Sequence, residues 1–358
     1  MLRYLFFFIF SLLQAESLSE KYPNYMYVLH EFDIEKAYIN DSKFHDFAIQ
    51  HERGIRELYK YAQKRGENFI PTMKNLLLDE GVSDIFIYLS IIESGLHVSA
   101  ISPKKAVGLW QFMPNTAKLY DLVIENSYDE RKEIISATIA AAKHLNTLYT
   151  QFGKWYLAAM AYNCGEGCLK RAIERAGTDA LRVLLDEKEH FLPKETRLYI
   201  KKILLVALIG EEIEGVSHTD TDGFEKSLIE VEVSIRTRLA EIAKLMNITL
   251  EELQRLNPNL TNKRRIKGER YRLNIPLSKA FEFFLNYDDH TPKAEKEVGK
   301  SYYLSHTVML GESLESIAKR YHAEKEEIMI VNRLESENLM LKQLLLIPVE
   351  KKLFDEKL

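Results

Sequence analysis

Asp84-Ile85-Phe86-Ile87-Tyr88-Leu89-Ser90-Ile91-Ile92-Glu93-Ser94-Gly95, followed by Ala106-Val107-Gly108-Leu109-Trp110-Gln111-Phe112-Met113-Pro114, is the stretch on which the fold turns. Its first half is an apolar run with one acid, Glu93, near its end. Burial strips a carboxylate of the water that stabilises its charge, so such a group holds its proton towards neutral pH and suits general-acid chemistry. Ser83 or Asp84 offers an N-cap and Gly95 a stop, and together with the length they favour a helix. Periodicity alone also fits a buried strand, because everything from Ile85 to Ile92 reads as apolar. In a helix, Glu93 stands in the last turn, where the negative end of the dipole raises its pKa further.

Outward from this stretch the grammar is mostly helical. Upstream, residues 20–80 read as amphipathic helix, with Phe44, Phe47, Ala48, His51, Ile55, Leu58, Tyr59 and Ala62 at three- and four-residue spacing. Gly66 is expected to end that helix, and a second runs from Pro71 through Leu78. Downstream, a turn-rich link over Ser99–Lys105 leads to a helix opened by Pro114. Ile134–Tyr149 follows, with Ala137, Ala140 and Ala141 permitting close packing. Trp155–Tyr162 is a further helix, broken at Asn163 and Gly165, and Tyr199–Ile209 is the last of the series.

Composition shifts at 211–227, which is polar and acidic and reads as a linker. A strand over Leu228–Val233, helices over Arg238–Met246 and Leu250–Leu256, and a strand over Tyr271–Ile275 follow. About 75 residues later the pattern returns. Tyr302–Val308 is a strand, Ser313–Tyr321 and Lys325–Val331 are helices ended by Asn332, and Leu344–Ile347 is a strand closed by Pro348. This is an internal duplication of a β-α-α-β unit, joined by the charged segment around Asp288–Glu297.

A chain of 358 residues with 46% hydrophobic and 28% charged composition is globular and long enough for two or three domains. Its net charge of −4 makes no electrostatic case for nucleic acid, and the basic run Lys263–Lys267 reads as a solvated loop. Residues 1–15, with Arg3 ahead of an apolar run and Ala15 at its end, look like a secretory signal peptide too short to span a bilayer. An uncleaved anchor or a buried first helix is the alternative. No Cys near that run indicates a lipid anchor and no second long apolar run follows, so an exported, soluble protein is expected. The two cysteines, Cys164 and Cys168, fit either a disulfide or two small residues lining a core or loop. No His with ligand spacing lies beside them, so a zinc site is not expected.

Four motifs stand in order over about 120 residues: Glu93-Ser94, Gly108–Pro114, Ala161-Tyr162-Asn163-Cys164-Gly165-Glu166-Gly167 and Leu192-Pro193-Lys194-Glu195-Thr196-Arg197-Leu198-Tyr199. The set resembles the lytic murein transglycosylases, nearest to the membrane-bound transglycosylase D type within the soluble-lytic-transglycosylase family. Thr307–Leu314, with Ile317, Ala318, Asn332 and Ile347-Pro348, resembles a LysM peptidoglycan-binding module. The unit at 228–276 looks like a weaker copy without the Gly-Asp/Glu-Ser/Thr turn, and Lys342 stands where the module usually has Gly. Cys164 and Cys168 also depart from the family's usual residues around its Gly-x-Gly.

The resemblance implies an α+β chain: a signal peptide (1–15), an N-terminal helical region (16–80), a mostly α-helical lysozyme-like catalytic domain (81–210), a linker (211–227), a degenerate LysM-like domain (228–277), a second linker (278–300) and a LysM domain (301–349). It implies cleavage of the β-1,4 bond between N-acetylmuramic acid and N-acetylglucosamine in peptidoglycan glycan strands, without water, leaving a 1,6-anhydro ring. Glu93 is then the general acid and base. Ser94 orients Glu93 or the sugar, or bonds its own helix backbone; Gly108 lets backbone approach a sugar; Gln111 holds an N-acetyl group or is a buried amide; and Met113 and Trp110 pack a sugar face or the core. Tyr162 and Asn163 make polar contacts near Glu93, and Tyr199 hydrogen-bonds near the acid. Gly311, Glu312, Ser313 and Asn332 are the glycan-binding candidates of the LysM module. No metal or organic cofactor and no nucleic acid are expected, and the place of action is the periplasm of a Gram-negative-type cell, against the wall. A water-using glycosidase needs two carboxyls on opposite sides of the bond, whereas only Glu93 here is an acid standing in an apolar motif of this kind. A goose-lysozyme-like hydrolytic muramidase and a non-enzymatic wall-binding scaffold are the alternative readings.

Overall fold

The computed structural model describes residues 17–125, 128–214, 227–235, 237–260, 270–287, 302–309, 312–332, 334, 336–340 and 343–349. The signal-peptide reading, the greater part of the first linker, the basic run at 263–267, Gly311 and Lys342 lie outside the described residues. Two units pack separately, residues up to 243 with 248–278 in one and residues 244–247 with 279 onward in the other.

In the first unit, α1 (Leu18–Lys21) opens on a capping box between Ser17 and Glu20, and α2 (Tyr25–Glu31) follows. α3 (Ser42–Gly66) is capped by the Asp41 carboxylate, which accepts from the Phe44 N–H. Its apolar stripe is buried at Phe44, Phe47, Ala48, Ile55, Tyr59 and Ala62 and half-buried at His51 and Leu58, and Gly66 is its last residue. After α4 (Ile70–Asp79), a 3-10 turn over Asp84–Phe86 runs into α5 (Ile87–Ser94), ended by Gly95 at φ +59°. The deciding stretch is therefore helix and not strand, although Ser83 makes no side-chain cap and the tight turn starts the helix instead.

The next elements are α6 (Pro114–Leu119), a two-stranded hairpin of β1 (Ile124–Glu125) and β2 (Tyr128–Asp129), and α7 (Ile134–Phe152). α8 (Trp155–Cys164) carries Asn163 inside it, so the break falls at Gly165 (φ +84°) alone. α9 (Glu166–Ala176) and the short α10 (Leu181–Leu184) come next. α11 (Lys194–Glu214) is buried along most of its length from Thr196 to Gly210 and forms the shaft of the domain.

This shaft overruns the expected Tyr199–Ile209 at both ends, and the residues 211–214 read as linker are its last turn. Their acidity is matched rather than solvated. Glu211 accepts from Tyr88 Oη at 2.8 Å, Glu212 pairs with Arg56 at 2.6 Å, and Glu214 receives Lys74, Tyr59 and Gln63. Polar composition marks a linker only when no partner faces it.

β3 (Leu228–Ser234) pairs antiparallel with β4 (Arg270–Pro276), placing Glu230 opposite Asn274, and α12 (Leu239–Leu245) and α13 (Leu250–Leu256) lie between them in sequence. The Leu228 N–H donates to Thr72 Oγ1 at 2.7 Å and Asn274 Nδ2 to Glu133, so this strand pair is seated on the helical domain. α14 (Ala280–Asn286) falls in the segment read as a second linker; Phe283 is buried in it and stacks on Tyr287 at 4.8 Å. In the second unit β5 (Tyr302–Thr307) pairs antiparallel with β6 (Leu344–Val349), with α15 (Leu314–Tyr321) and α16 (Lys325–Asn332) between them.

Asn332 closes α16 from within and does not break it. Its Nδ2 donates to Leu346 O and its Oδ1 accepts the Leu346 N–H, both at 2.7 Å, so the amide acts as one rung of a β-ladder. The earlier unit repeats the device. Asn257 Oδ1 accepts the Asn274 N–H at 2.7 Å and its Nδ2 donates to Asn274 O at 2.8 Å.

Candidate active site

Glu93 stands in the last turn of α5, and Tyr199, in the second turn of α11, donates its hydroxyl to Glu93 Oε1 at 2.5 Å. Burial is the largest influence on the carboxyl and pushes its pKa up to about 7. The Tyr199 bond opposes that rise by stabilising the charged form, and the negative charge of Glu195 adds to it. Glu195 is itself exposed and lies 3.7 Å from Lys104. The side chain of Glu93 keeps part of its surface open to solvent, which a proton donor to an external substrate requires.

The loop facing α5 is held by its backbone. Ser90 and Ser94, one helical turn apart, both donate to Leu109 O at 2.9 Å. Ser94 is thus bound to the loop and to Ser90 O, and the expected bond to Glu93 is not among its contacts. Ser90, unmarked in a run that reads as wholly apolar, is its equal partner.

Gly108 has φ +85°, and a Cβ there would overlap the carbonyl of Arg131. The close approach of protein backbone by itself requires glycine here. Arg131 is buried, pairs with Asp129 at 2.7 Å, and donates to Lys105 O and Phe112 O, so it fastens both ends of the loop. Nothing in the sequence reading singled it out. Trp110 is fully buried with Nε1 on Thr138 Oγ1 at 3.0 Å, so it is core and packs no sugar.

Gln111 sits at φ +49° and donates Nε2 to Gly108 O at 2.8 Å, which leaves its carbonyl oxygen as the end available to a substrate N–H. Met113, 43% exposed at the head of α6, is free to face a sugar. Tyr162 Oη donates to Trp110 O at 2.8 Å, and burial first, then the charge of Glu93, opposes its ionisation. Asn163 Oδ1 accepts from Thr196 Oγ1 at 2.9 Å, joining the end of α8 to the first turn of α11.

His144 of α7 was not anticipated. Its ring lies 5.1 Å from Tyr162 and 5.2 Å from Tyr120, and Nδ1 is 2.9 Å from Tyr120 Oη. Burial pushes its pKa down to about 4, so the ring is neutral near pH 7. Its partners lie far off in sequence, which left no local signal. Cys164 and Cys168 are free thiols, and burial pushes Cys164 up to about 12.

The LysM candidates are engaged internally. Glu312 accepts the Met309 N–H and pairs with Arg320 at 2.6 Å and His306 at 2.7 Å, and burial does not set its carboxyl low but these bonds do. Ser313 caps α15 through the Ser316 N–H, and Asn332 bridges to β6. These three residues build the module through internal bonds, and Gly311 lies outside the described residues.

The family model "Transglycosylase SLT domain" matches residues 76–184, a LysM-like domain of the lytic transglycosylase MltD matches 227–291, and a LysM domain matches 306–348. Tyr199 lies beyond the first of these. Membrane-bound lytic murein transglycosylase D of Escherichia coli K12 is 32% identical over 174 residues, covering 48% of this chain and 38% of that protein. A putative tributyltin chloride resistance protein of an Alteromonas species is 43% identical over 86 residues, covering 24% of this chain and 42% of that protein. The X-ray structure of an inactive mutant of the lytic transglycosylase Slt from Pseudomonas aeruginosa aligns over 41% of this chain and 24% of that one, at 24% identity and a TM-score of 0.35. The chain spans less than half the length of the curated relatives it matches. It carries a transglycosylase SLT domain followed by an MltD-type LysM-like domain and a LysM domain, and is homologous to membrane-bound lytic murein transglycosylase D.

Proposed function

We propose that the chain is a peptidoglycan lytic transglycosylase that cleaves the β-1,4 bond between N-acetylmuramic acid and N-acetylglucosamine. The observation that carries this reading is Glu93, a carboxyl with a pKa near 7, partly open to solvent and held by Tyr199. Glu93 gives its proton to the glycosidic oxygen as the bond to C1 breaks. The resulting carboxylate then takes the proton of the muramyl C6 hydroxyl as O6 bonds to C1, which restores the acid and consumes no water. Tyr199 steadies the carboxylate between the two steps. Gln111 through its carbonyl oxygen, Met113 through its exposed face, and Tyr162 and Asn163 through the wall they build are the substrate-facing set.

Because the charge of Glu195 reaches Glu93, hydrolysis by two carboxyls is the second reading. Its exposure and its Lys104 partner favour the first. The site of action is the envelope, and the finer reading is an exported, wall-associated periplasmic enzyme; no helix among the described residues is long and apolar enough to cross a membrane. The domain division is 81–210 for catalysis, with 228–277 and 301–349 as the two LysM-type units. Met309 and Met340, both exposed, are what the second unit offers a sugar face. Digestion of purified murein by wild type and Glu93→Gln tests the reading: soluble products from the first and none from the second are expected, and equal release by both would defeat it.

A further inference from the structure

Cys164 is the last residue of α8 and Cys168 stands in the first turn of α9, across the exposed turn Gly165-Glu166-Gly167. Both thiols are free and partly buried against the core. One carbonyl lies between them: Gly165 O accepts the Cys168 N–H at 3.1 Å and the Cys164 thiol at 3.6 Å. The two thiols also hydrogen-bond each other. In an unbroken helix, residues four apart keep their Cβ atoms about 5–6 Å apart, too far for the roughly 3.5–4.5 Å that a disulfide spans. Gly165, at φ +84°, breaks the helix between this pair, and a Cβ built there would meet no described atom within 4 Å, so the turn has room to close.

Cys168 also lines a pocket of about 480 Å³ whose charged lining is all cationic: Arg171, Arg175, Lys194 and Arg197. Arg171 leans over the turn, with a guanidinium nitrogen 3.3 Å from where a Cβ on Gly167 would stand. A cleft of one sign concentrates ions of the other and repels its own, and arginine forks match carboxylates two bonds at a time. An anionic reagent is therefore drawn to Cys168. Cys164 is not among the residues that line the pocket, and burial keeps its thiol protonated. The two sulfurs are thus unequal: one faces the cations, and the other waits behind it within reach.

We propose that Cys164 and Cys168 are a reversible dithiol–disulfide pair, oxidised by a small carboxylate-bearing disulfide that docks in the cationic pocket. Cys168 Sγ attacks one sulfur of the incoming disulfide and expels the other half as a thiol. Cys164 Sγ then attacks Cys168 Sγ in the mixed disulfide and expels the second half. One S–S bond breaks in the oxidant and one forms in the protein. The two cysteine protons end on the two released thiols, and two electrons pass to the oxidant. The bridge ties the end of α8 to the start of α9. Asn163 precedes Cys164 and accepts from Thr196 at 2.9 Å, so the bridge also braces the joint between α8 and α11. Nothing in this chemistry depends on the glycan-cleaving reading.

The test uses the full chain, which has 2 cysteines in all, so every change in thiol reactivity belongs to this pair. Reduced protein is mixed with glutathione disulfide at low salt, sampled over time, alkylated and weighed intact. Wild type is expected to end two hydrogens lighter and to take up no alkylating agent, and to regain both thiols with dithiothreitol. Two reactive thiols after long incubation, or a disulfide between chains, overturns the pairing. Cys164→Ser is expected to stop as the mixed disulfide, whereas Cys168→Ser gains glutathione at least about tenfold more slowly; equal rates would overturn the order of attack. Cystamine, a cationic disulfide, is the second probe and is expected to oxidise wild type at least about tenfold more slowly than glutathione disulfide. Arg171→Glu with Arg175→Glu should erase that preference, and a wild type that reacts equally with both probes overturns the docking at the cationic pocket. Amide exchange over residues 163–169 is expected to slow at least about threefold on oxidation; unchanged exchange overturns the bracing.

Discussion

Replacing Tyr199 by Phe isolates the contact that sets the acid. Its hydroxyl donates to Glu93 Oε1 at 2.5 Å and lowers the pKa of that carboxyl against the rise caused by burial. A hydrogen bond to a charged group contributes roughly 1.5–3 kcal/mol, which corresponds to about 1–2 pH units. Without it the charged form loses its partner, and the pKa climbs from about 7 towards about 8 or above. The general acid would then stay protonated to higher pH, so the alkaline limb of kcat/KM moves upward even as the plateau rate falls. The assay is kcat/KM against pH on solubilised glycan strands, with Glu195→Gln alongside. Removing the Glu195 charge takes away a raising influence, so its limb moves downward, and by less because Glu195 is exposed. A Tyr199→Phe limb that stays put or moves down would refute the reasoning.

Three further outcomes follow from the same geometry. Glu93 binds its proton more tightly folded than unfolded, so wild-type stability falls as pH rises from about 4.5 to about 7 and is flat above. Glu93→Gln should therefore exceed wild type by about 3 kcal/mol in urea unfolding at pH 8 and match it near pH 4, and no difference at pH 8 would contradict the buried carboxyl. Gly108→Ala must drive a Cβ into the Arg131 carbonyl at φ +85°, a loss of at least about 3 kcal/mol in the helical domain; an unchanged melt would show that the loop gives way freely. Asn332→Ala strands the N–H and C=O of Leu346, and about 2–4 kcal/mol of the second LysM-type unit goes with them, read as faster amide exchange over residues 302–349. Loss of glycan affinity with normal exchange would return Asn332 to the binding surface.

What the sequence disclosed was whatever depends on near neighbours. The α3 stripe, the Gly95 stop and both strand-helix-helix-strand units follow from local spacing and capping, and the structure keeps them. Glu93 was legible because an acid in an apolar run has few other reasons to be there. Its Tyr199 partner came from the motif alone, since 106 residues separate them. The backbone duties of Gly108, Ser94 and Asn332 and the burial of Trp110 depend on residues that only the fold brings near. Arg131 and His144 were missed for the same reason. The acidic turn at 211–214 looked like linker because its cations and hydroxyls lie on α3, α4 and α5.

The most direct test is the mass of the fragments released from purified murein by the wild-type chain. Ring closure by the muramyl C6 hydroxyl leaves every new end one water lighter than a reducing sugar. The account predicts anhydro ends throughout, and none from Glu93→Gln. Fragments carrying the added water would instead assign the chemistry to a hydrolase and contradict it.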